Sequence, residues 1–246
     1  MLRPPAFEPA PPRTAHSRDA ARAVGVALGV SGAVTLLSYV LPEEHAATAI
    51  GLAFLLATHL LVLRKNAETI RRHGLALGGL LEPQPLDFRR IARETARAFG
   101  VALLACAVVF PVFTLGWLWF WQPEAPFRPA FGRSLWDDGL GHLLVIALPE
   151  EAFFRGYLQT ELETALPPKR KLFGAGFGLA IVLTSALFAL GHVATELHVN
   201  RLAVFFPSLL FGWLRARTGG IGASVLFHAA CNVFASFLAE SYGLGA

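Results

Sequence analysis

Long apolar runs alternate with short polar segments along most of the chain. Each run resembles a membrane helix, because about 20 apolar residues cover the hydrocarbon core of a bilayer. About seven spans are predicted, at 23–41, 46–63, 98–121, 139–162, 172–192, 202–214 and 221–238. The pattern therefore predicts an all-α, polytopic transmembrane helix bundle, and we expect the lipid bilayer to be its main partner.

The polar segments between the runs predict how the bundle is oriented. Residues 1–22 are rich in Pro, Ala and Arg and predict a disordered cytoplasmic tail. Residues 64–97 are strongly basic, which places them in the cytoplasm by the positive-inside rule. Within them, 75–81 is too short to span and is a candidate interfacial helix, and 89–99 is predicted as an amphipathic helix that leads into the next span. The N-terminus is then cytoplasmic, 122–138 is an outer loop and the C-terminus lies outside.

Composition supports a membrane protein with several spans. Of the 246 residues, 54% are hydrophobic and only 15% are charged. The net charge of +4 does not indicate a nucleic-acid partner, because the basic residues cluster between the apolar runs. Cys106 and Cys231 lie inside apolar runs and form no disulfide or zinc-binding pattern.

The fourth run contains charge where membrane segments seldom carry it. It includes Pro149, Glu150, Glu151 and Arg155, and such residues are candidates for function. On a helix, Glu151 and Arg155 are i,i+4 neighbours and can pair. Glu150 points about 100° away and needs another partner. Pro149 lacks an N–H and predicts a kink. The simpler alternative is a helix end with charges that reach the headgroups.

Two further runs also carry polar side chains. Phe188 and His192 share one helix face, as do His228 and Asn232. Unpaired polar groups in lipid cost several kcal/mol each, so we expect the three helices to meet at one water-filled cavity. The predicted boundaries place His192 near the outer end of its span and His228 nearer the inner end, with Glu150 between them. A shared site therefore requires tilted or shifted helices, for example a fifth span that begins later and runs past His192.

These residue types are suited to hydrolysis. A carboxylate can act as general base toward water, one histidine can position that water, and the other histidine with the asparagine can stabilise an oxyanion. Ser185 and Ser224 lack a paired base at a suitable spacing, and Cys231 is expected on a different face. A non-enzymatic membrane scaffold or a proton-coupled transporter is the alternative.

The three motifs, taken in order, resemble those of the CPBP family of CAAX-processing and bacteriocin-processing intramembrane proteases. The family pattern E-E-x-x-x-R, F-x-x-x-H, H-x-x-x-N is matched by Glu150–Glu151…Arg155, Phe188…His192 and His228…Asn232. The resemblance implies a glutamate-type endopeptidase with its catalytic core in 139–240, after the spans and basic loop of 23–138. It implies that Glu150 is the general base and shares the water with His192, that His228 and Asn232 form the oxyanion site, and that Glu151, Arg155 and Phe188 support them.

The resemblance also bears on cofactor and substrate. We expect no cofactor and no metal, although zinc on His192, His228 and one glutamate is a less favoured variant. The expected partner is a membrane-anchored protein or peptide, cleaved near its C-terminal tail or anchor. Eukaryotic relatives act on prenylated tails. The composition suggests a bacterial inner membrane, and the residues around Arg155 are compatible with the myxosortase-like branch, which processes sorting tails.

Overall fold

The computed structural model describes residues 13–130 and 139–244, with side chains from residue 17 onward. Its helices are α1 (Arg13–Val40), α2 (Glu43–Thr58), α3 (Ala67–Arg72), α4 (Phe88–Trp121), α5 (139–165), α6 (Leu179–Glu196), α7 (Phe205–Thr218) and α8 (Gly222–Ser241). A π-helical turn, His59–Leu63, prolongs α2, and 3-10 turns lie at Leu77–Gly79 and Val199–Val204. Strands β1 (Arg170–Leu172) and β2 (Ala175–Phe177) form an antiparallel hairpin in which Lys171 is opposite Gly176.

Five helices of the described chain are long and apolar enough to cross a membrane. They are α1 from Ser17, α2 with its extension to Leu63, α4, α6 and α8. The predicted all-α membrane bundle is therefore confirmed. The count of seven stays a prediction, because α5 carries the charged motif and α7 has only 14 residues.

Several predicted boundaries before residue 130 need correction. Residues 13–22, expected to be disordered, begin α1, since the good helix formers Ala and Arg join directly to an apolar run. Residues 1–12 and the part of the outer loop at 131–138 lie outside the described residues. The lead-in helix predicted at 89–99 is present and forms the first third of α4. Leu75, expected at the membrane interface, is fully buried instead, and its methyl groups pack where Gly156 has no Cβ.

The fifth span begins at residue 179 rather than 172. Residues 170–177 form the hairpin, because Phe173 and Gly174 both take positive φ in its turn and Pro168 packs against Gly176 and Gly178. The helix α6 begins later and runs past His192 to Glu196, which is the shift that a shared site requires.

The helix α5 is irregular on both sides of the acidic pair. The π-helical segments His142–Ala147 and Ala152–Leu158 flank the short α-helical segment Leu148–Glu151. Because Pro149 has no N–H, the carbonyl of Val145 lacks its ordinary α-helical donor. Gly51 of α2 lies against that carbonyl: a Cβ on Gly51 would lie 2.4 Å from the Val145 oxygen. The predicted disturbance at Pro149 thus takes the form of π-helical turns, which often occur at functional sites.

The two ends of the bundle differ strongly in charge. At one end, called the basic end, the segment after α2 meets the C-terminal ends of α5 and α7. Arg72 donates to the Thr164 hydroxyl at 2.8 Å, Arg215 donates to the Arg72 carbonyl at 3.1 Å, and Ile221 N–H donates to the Gly74 carbonyl at 3.0 Å. The basic residues gathered there are Arg18, Arg22, Arg64, Lys65, Arg71, Arg72, Arg89, Arg90, Arg93, Lys169, Arg170, Lys171, Arg215 and Arg217.

Contacts of a different kind define the other end, called the opposite end. Tyr39 near the end of α1 donates to the Ala194 carbonyl in α6 at 3.0 Å. Trp117 in α4 packs on Tyr242 after α8, with ring centroids 5.6 Å apart. The described segments there carry Glu43, Glu44 and Glu196 and few basic residues, namely Arg128 and Arg201.

A buried carboxylate orders the segment between α3 and α4 at the basic end. Glu82 accepts hydrogen bonds from Arg90 at 2.8 Å and from Arg71 at 2.7 Å. These two guanidinium groups, Arg90 first, hold the pKa of Glu82 below its usual value of 4.5, although burial acts in the other direction. Through these two hydrogen bonds Glu82 connects the start of α4 to the end of α3.

Candidate active site

Glu151 is the buried centre of an ion-pair network that joins α5 to α8. One of its carboxylate oxygens, Oε1, lies 3.0 Å from Arg155 Nη1 and 3.1 Å from His228 Nδ1. The side chains of Glu151 and Arg155 are both 0% exposed. The predicted i,i+4 pair is therefore present, and His228 joins it across 77 residues of sequence. A buried charge of this kind is tolerated only with partners.

Arg155 extends the network to α7. It donates to the Ser208 hydroxyl at 2.6 Å and to the Ser208 carbonyl at 3.2 Å. Its guanidinium carbon lies 4.5 Å from the ring centroid of Phe188 and 5.1 Å from that of Phe211, which are cation–π distances. Arg155 thus connects the helix of the acids to α6 and α7.

His228 is held between aromatic rings as well as carboxylates. Its ring stacks on Phe211 with centroids 4.6 Å apart and 17° between planes, and it meets Phe188 edge-on at 5.9 Å. With Nδ1 directed at Glu151, the other nitrogen, Nε2, lies 3.8 Å from Glu150 Oε2. One imidazole therefore contacts both glutamates, one with each nitrogen.

Glu150 faces a cavity of about 540 Å³, whereas Glu151 does not contribute to its wall. No described residue gives Glu150 Oε2 a hydrogen bond. The chemically relevant residues of the wall are Glu150, His142, His192, His228, Asn232 and Cys231, with Phe154, Phe188 and Phe211 among the apolar ones. The four residues predicted as catalytic therefore line one space, supplied by three helices.

His192 enters the cavity in a defined tautomer. Its Nδ1 lies 3.0 Å from the carbonyl of Phe188, and a carbonyl can only accept, so Nδ1 carries the hydrogen. In the neutral ring Nε2 is then an acceptor. The ring also contacts Phe188 at a centroid distance of 4.4 Å, so that Phe188 positions His192, His228 and Arg155 together.

The remaining candidates from the sequence have simpler positions. Asn232 lines the cavity one turn after His228. Cys231, expected on a different face, lines it too, because the wall of a wide cavity covers more than one helical face. Ser224 donates to the Ile221 carbonyl at 2.8 Å and caps its own turn, and Ser185 is buried within α6.

Ser208 and Phe211 are the two network residues that the motifs did not indicate. They lie three residues apart on α7, on the same face as the buried Gly212 and Arg215. That spacing of small and polar residues in an apolar helix was the available signal. Gln159 uses this face as well, since its amide donates to the Gly212 carbonyl at 3.0 Å.

The side chains named for a zinc variant are close to the proposed catalytic ones. Among the described residues, no group of three His, Cys, Asp or Glu side chains is placed as a metal-ligand set. His228 Nδ1 contacts Glu151 and its Nε2 faces Glu150. The expectation of a metal-free site stays a prediction.

Comparison with known proteins gives one match. Residues 132–234 match the family described as type II CAAX prenyl endopeptidase Rce1-like. This segment contains all three motifs and α5 to most of α8. Neither the curated proteins nor the solved structures gave a match.

Proposed function

We propose that the chain is an intramembrane endopeptidase that uses glutamate-activated water, since its residues 132–234 match the Rce1-like family of type II CAAX prenyl endopeptidases. The observation that carries the proposal is that Glu150, His192, His228 and Asn232, from three helices, line one cavity. In this proposal the substrate is a membrane-anchored protein, cleaved near its C-terminal tail or anchor.

Glu150 is the proposed general base. Its carboxylate faces the cavity, and its side chain keeps 11% exposure, so the carboxylate is available to a water. Because Nδ1 of His192 is held by the Phe188 carbonyl, Nε2 can accept the second hydrogen of the same water. Holding the water by both hydrogens directs its lone pair at the scissile carbonyl.

Protons balance through the same carboxylate. Glu150 takes a proton from water while the water oxygen bonds to the carbonyl carbon. The resulting tetrahedral intermediate then collapses, the C–N bond breaks and the proton held by Glu150 passes to the leaving nitrogen. The products are a carboxylic acid and an amine, and Glu150 returns to its starting state.

His228 and Asn232 are the proposed oxyanion donors. The buried cluster contains two carboxylates and a single guanidinium, so in this proposal His228 supplies the second positive charge. Nδ1 then donates to Glu151, and the Nε2–H is directed toward the cavity. The Asn232 amide, one turn further along α8, is the second donor. Glu151, Arg155, Ser208 and Phe211 are positioning residues in this scheme.

The test is cleavage of a fluorogenic peptide by purified protein in detergent or liposomes. The peptide carries a sorting-type or CAAX-type tail. Glu150→Gln is expected to lose about 100- to 10,000-fold in kcat, the range for a general base. His192→Ala and Asn232→Ala are expected to lose at least about 100-fold. Glu43→Gln and His59→Ala serve as matched controls because both residues are exposed and lie outside the cavity. If Glu150→Gln and Glu43→Gln had equal activity, the proposed protease function would be excluded, and a scaffold or a transporter would be the remaining alternative.

A separate experiment distinguishes a metal-free enzyme from a zinc enzyme. The favoured mechanism needs no metal, so activity should survive dialysis against a strong chelator with unchanged kcat. Loss of activity that added zinc restores would replace the glutamate mechanism by the zinc variant, with His192, His228 and one glutamate as ligands.

A further inference from the structure

The cavity lies in the half of the bundle that is nearer to the opposite end. Apart from the site residues, its walls come from residues near one end of each helix: Ser31, Ala47, His142, Thr195, Glu196, Arg201 and Ser236. Ala47 lies in the first turns of α2, His142 in the first turn of α5, and Thr195 and Glu196 at the end of α6. All of them belong to the opposite end. Among the described residues, none of the wall comes from the segments of the basic end.

The depth of the site agrees with this direction. In α6, His192 lies four positions before the last residue, Glu196, which corresponds to about 6 Å at the helical rise of 1.5 Å per residue. Thirteen positions, or about 20 Å, separate His192 from Leu179 at the basic end. The cavity therefore follows the shorter path to the surface.

The path to the basic end is filled by side chains. From Glu150 toward the basic end, Arg155 occupies the space between α5 and α7 and donates a hydrogen bond to the Ser208 hydroxyl. One turn closer to the basic end, the Gln159 amide donates to the Gly212 carbonyl, and Arg215 donates to the Thr160 hydroxyl at 2.6 Å. These buried hydrogen-bonded layers separate the cavity from the basic end.

The distribution of basic residues assigns a cell face to each end. Lys and Arg of short loops remain on the cytoplasmic side of a membrane protein, and here they gather at the basic end. The opposite end has acidic residues at the start of α2 and carries Arg201 paired with Glu196 at the cavity wall.

We infer that the catalytic cavity opens to the non-cytoplasmic face, so that the substrate is an exported protein whose scissile segment enters from outside. A cytosolic protein that is anchored by a lipid would present its tail at the basic end, where the polar layers lie. The substrate class is thus the outer anchor segment of a translocated protein. This substrate assignment rests on the proposed function.

Two exposed residues that flank α6 test the orientation. In a Cys106→Ser, Cys231→Ser background, Val199→Cys and Phe173→Cys are made separately. Both side chains are well exposed, at 74% and 82%, and they lie at opposite ends of one helix. With a membrane-impermeant maleimide on intact bacterial spheroplasts, we expect Val199→Cys to be labelled and Phe173→Cys to be labelled only after lysis. The reverse pattern would overturn the inference.

The substrate class is tested on the full chain in cells. Membrane fractions from cells that express wild type or Glu150→Gln are compared for new protein termini. We expect termini that depend on Glu150 and that map to the outer side of membrane anchors. Termini on the cytoplasmic side would overturn the inference while leaving the protease intact. Absence of any Glu150-dependent terminus, with the maleimide pattern as expected, would overturn the proteolytic function and the substrate class but not the orientation.

Discussion

Glu151 accepts a hydrogen bond from His228 Nδ1 at 3.1 Å, while the neighbouring Glu150 lies 3.8 Å from Nε2 of the same ring. Two adjacent acids therefore hold different positions about one imidazole. The first faces the cavity, and the second is enclosed with Arg155. Because their surroundings differ, we predict that neutralising Glu150 and neutralising Glu151 have different effects on the stability of the protein.

Neutralising Glu151 should destabilise the protein, whereas neutralising Glu150 should not. Glu151→Gln leaves Arg155 buried without its carboxylate, and breaking a buried pair costs about 3–5 kcal/mol. Glu150→Gln loses only a longer contact, since Glu150 Oε2 lies 3.8 Å from His228 Nε2 and accepts no hydrogen bond from a described residue. Thermal unfolding in detergent should show a lower midpoint for Glu151→Gln alone, with activity lost in both. A lower midpoint for Glu150→Gln and not Glu151→Gln would contradict the assignment.

Removing the Ser208 hydroxyl should weaken catalysis from a position outside the cavity. Ser208→Ala deletes a hydrogen bond to a charged group, worth about 1.5–3 kcal/mol, and loosens Arg155 against Glu151 and His228. We expect kcat to fall while KM is unchanged, because the substrate does not touch Ser208. Ser38→Ala, which removes a hydroxyl bonded only to the Thr35 carbonyl of its own helix, is the control. Equal kcat values for the two variants would exclude a positioning role for Ser208.

The contact of Gly51 with the Val145 carbonyl should tolerate no added methyl group. In Gly51→Ala the Cβ would lie 2.4 Å from that oxygen, so α2 and α5 must separate, and overpacking of this kind costs about 1–3 kcal/mol. Gly29→Ala is the matched control because a Cβ there has open space, and its helix should gain about 0.5–1 kcal/mol. Thermal unfolding midpoints should therefore shift in opposite directions. Shifts in the same direction would show that the helix crossing is not tight.

Glu82 should give the basic end a stability that depends on pH. Its pKa is held below the usual value by Arg90 and Arg71, so the carboxylate stabilises the fold above pH 4.5 and loses this effect as pH falls through the lowered pKa. We expect Glu82→Gln to unfold at a lower temperature than wild type near pH 7, with the difference shrinking below about pH 4.5. A difference that is constant from pH 7 to acid pH would indicate a packing defect instead.

The sequence allowed prediction of contacts within one helix better than contacts between helices. The pairs Glu151–Arg155 and Phe188–His192 follow from i,i+4 spacing, and both are found. The bond from His228 to Glu151 depends on how α5 and α8 are rotated, and the π-helical segments of α5 change that rotation. Local spacing carries no information about such a rotation.

The fifth and sixth spans show why some boundaries could not be predicted. Residues 172–178 are apolar enough to begin a helix, but positive φ at Phe173 and Gly174 makes a hairpin turn. Ser208 looked like an ordinary small residue of a short apolar run, because its partner Arg155 is supplied by another helix. In both cases tertiary contacts decide the outcome, and hydropathy does not record them.

The length of α4 links the depth of the proposed site to the lipids around it. With 34 residues the helix is about 51 Å long, well beyond a hydrocarbon core of about 30 Å. Its arginine-bearing first turns must therefore stand among the phosphates of one leaflet, while Trp119 and Trp121 anchor the other interface. Since α4 is fixed at both headgroup layers, the proposed function implies that a thicker or thinner bilayer moves the substrate's anchor relative to Glu150 and changes which peptide bond reaches it.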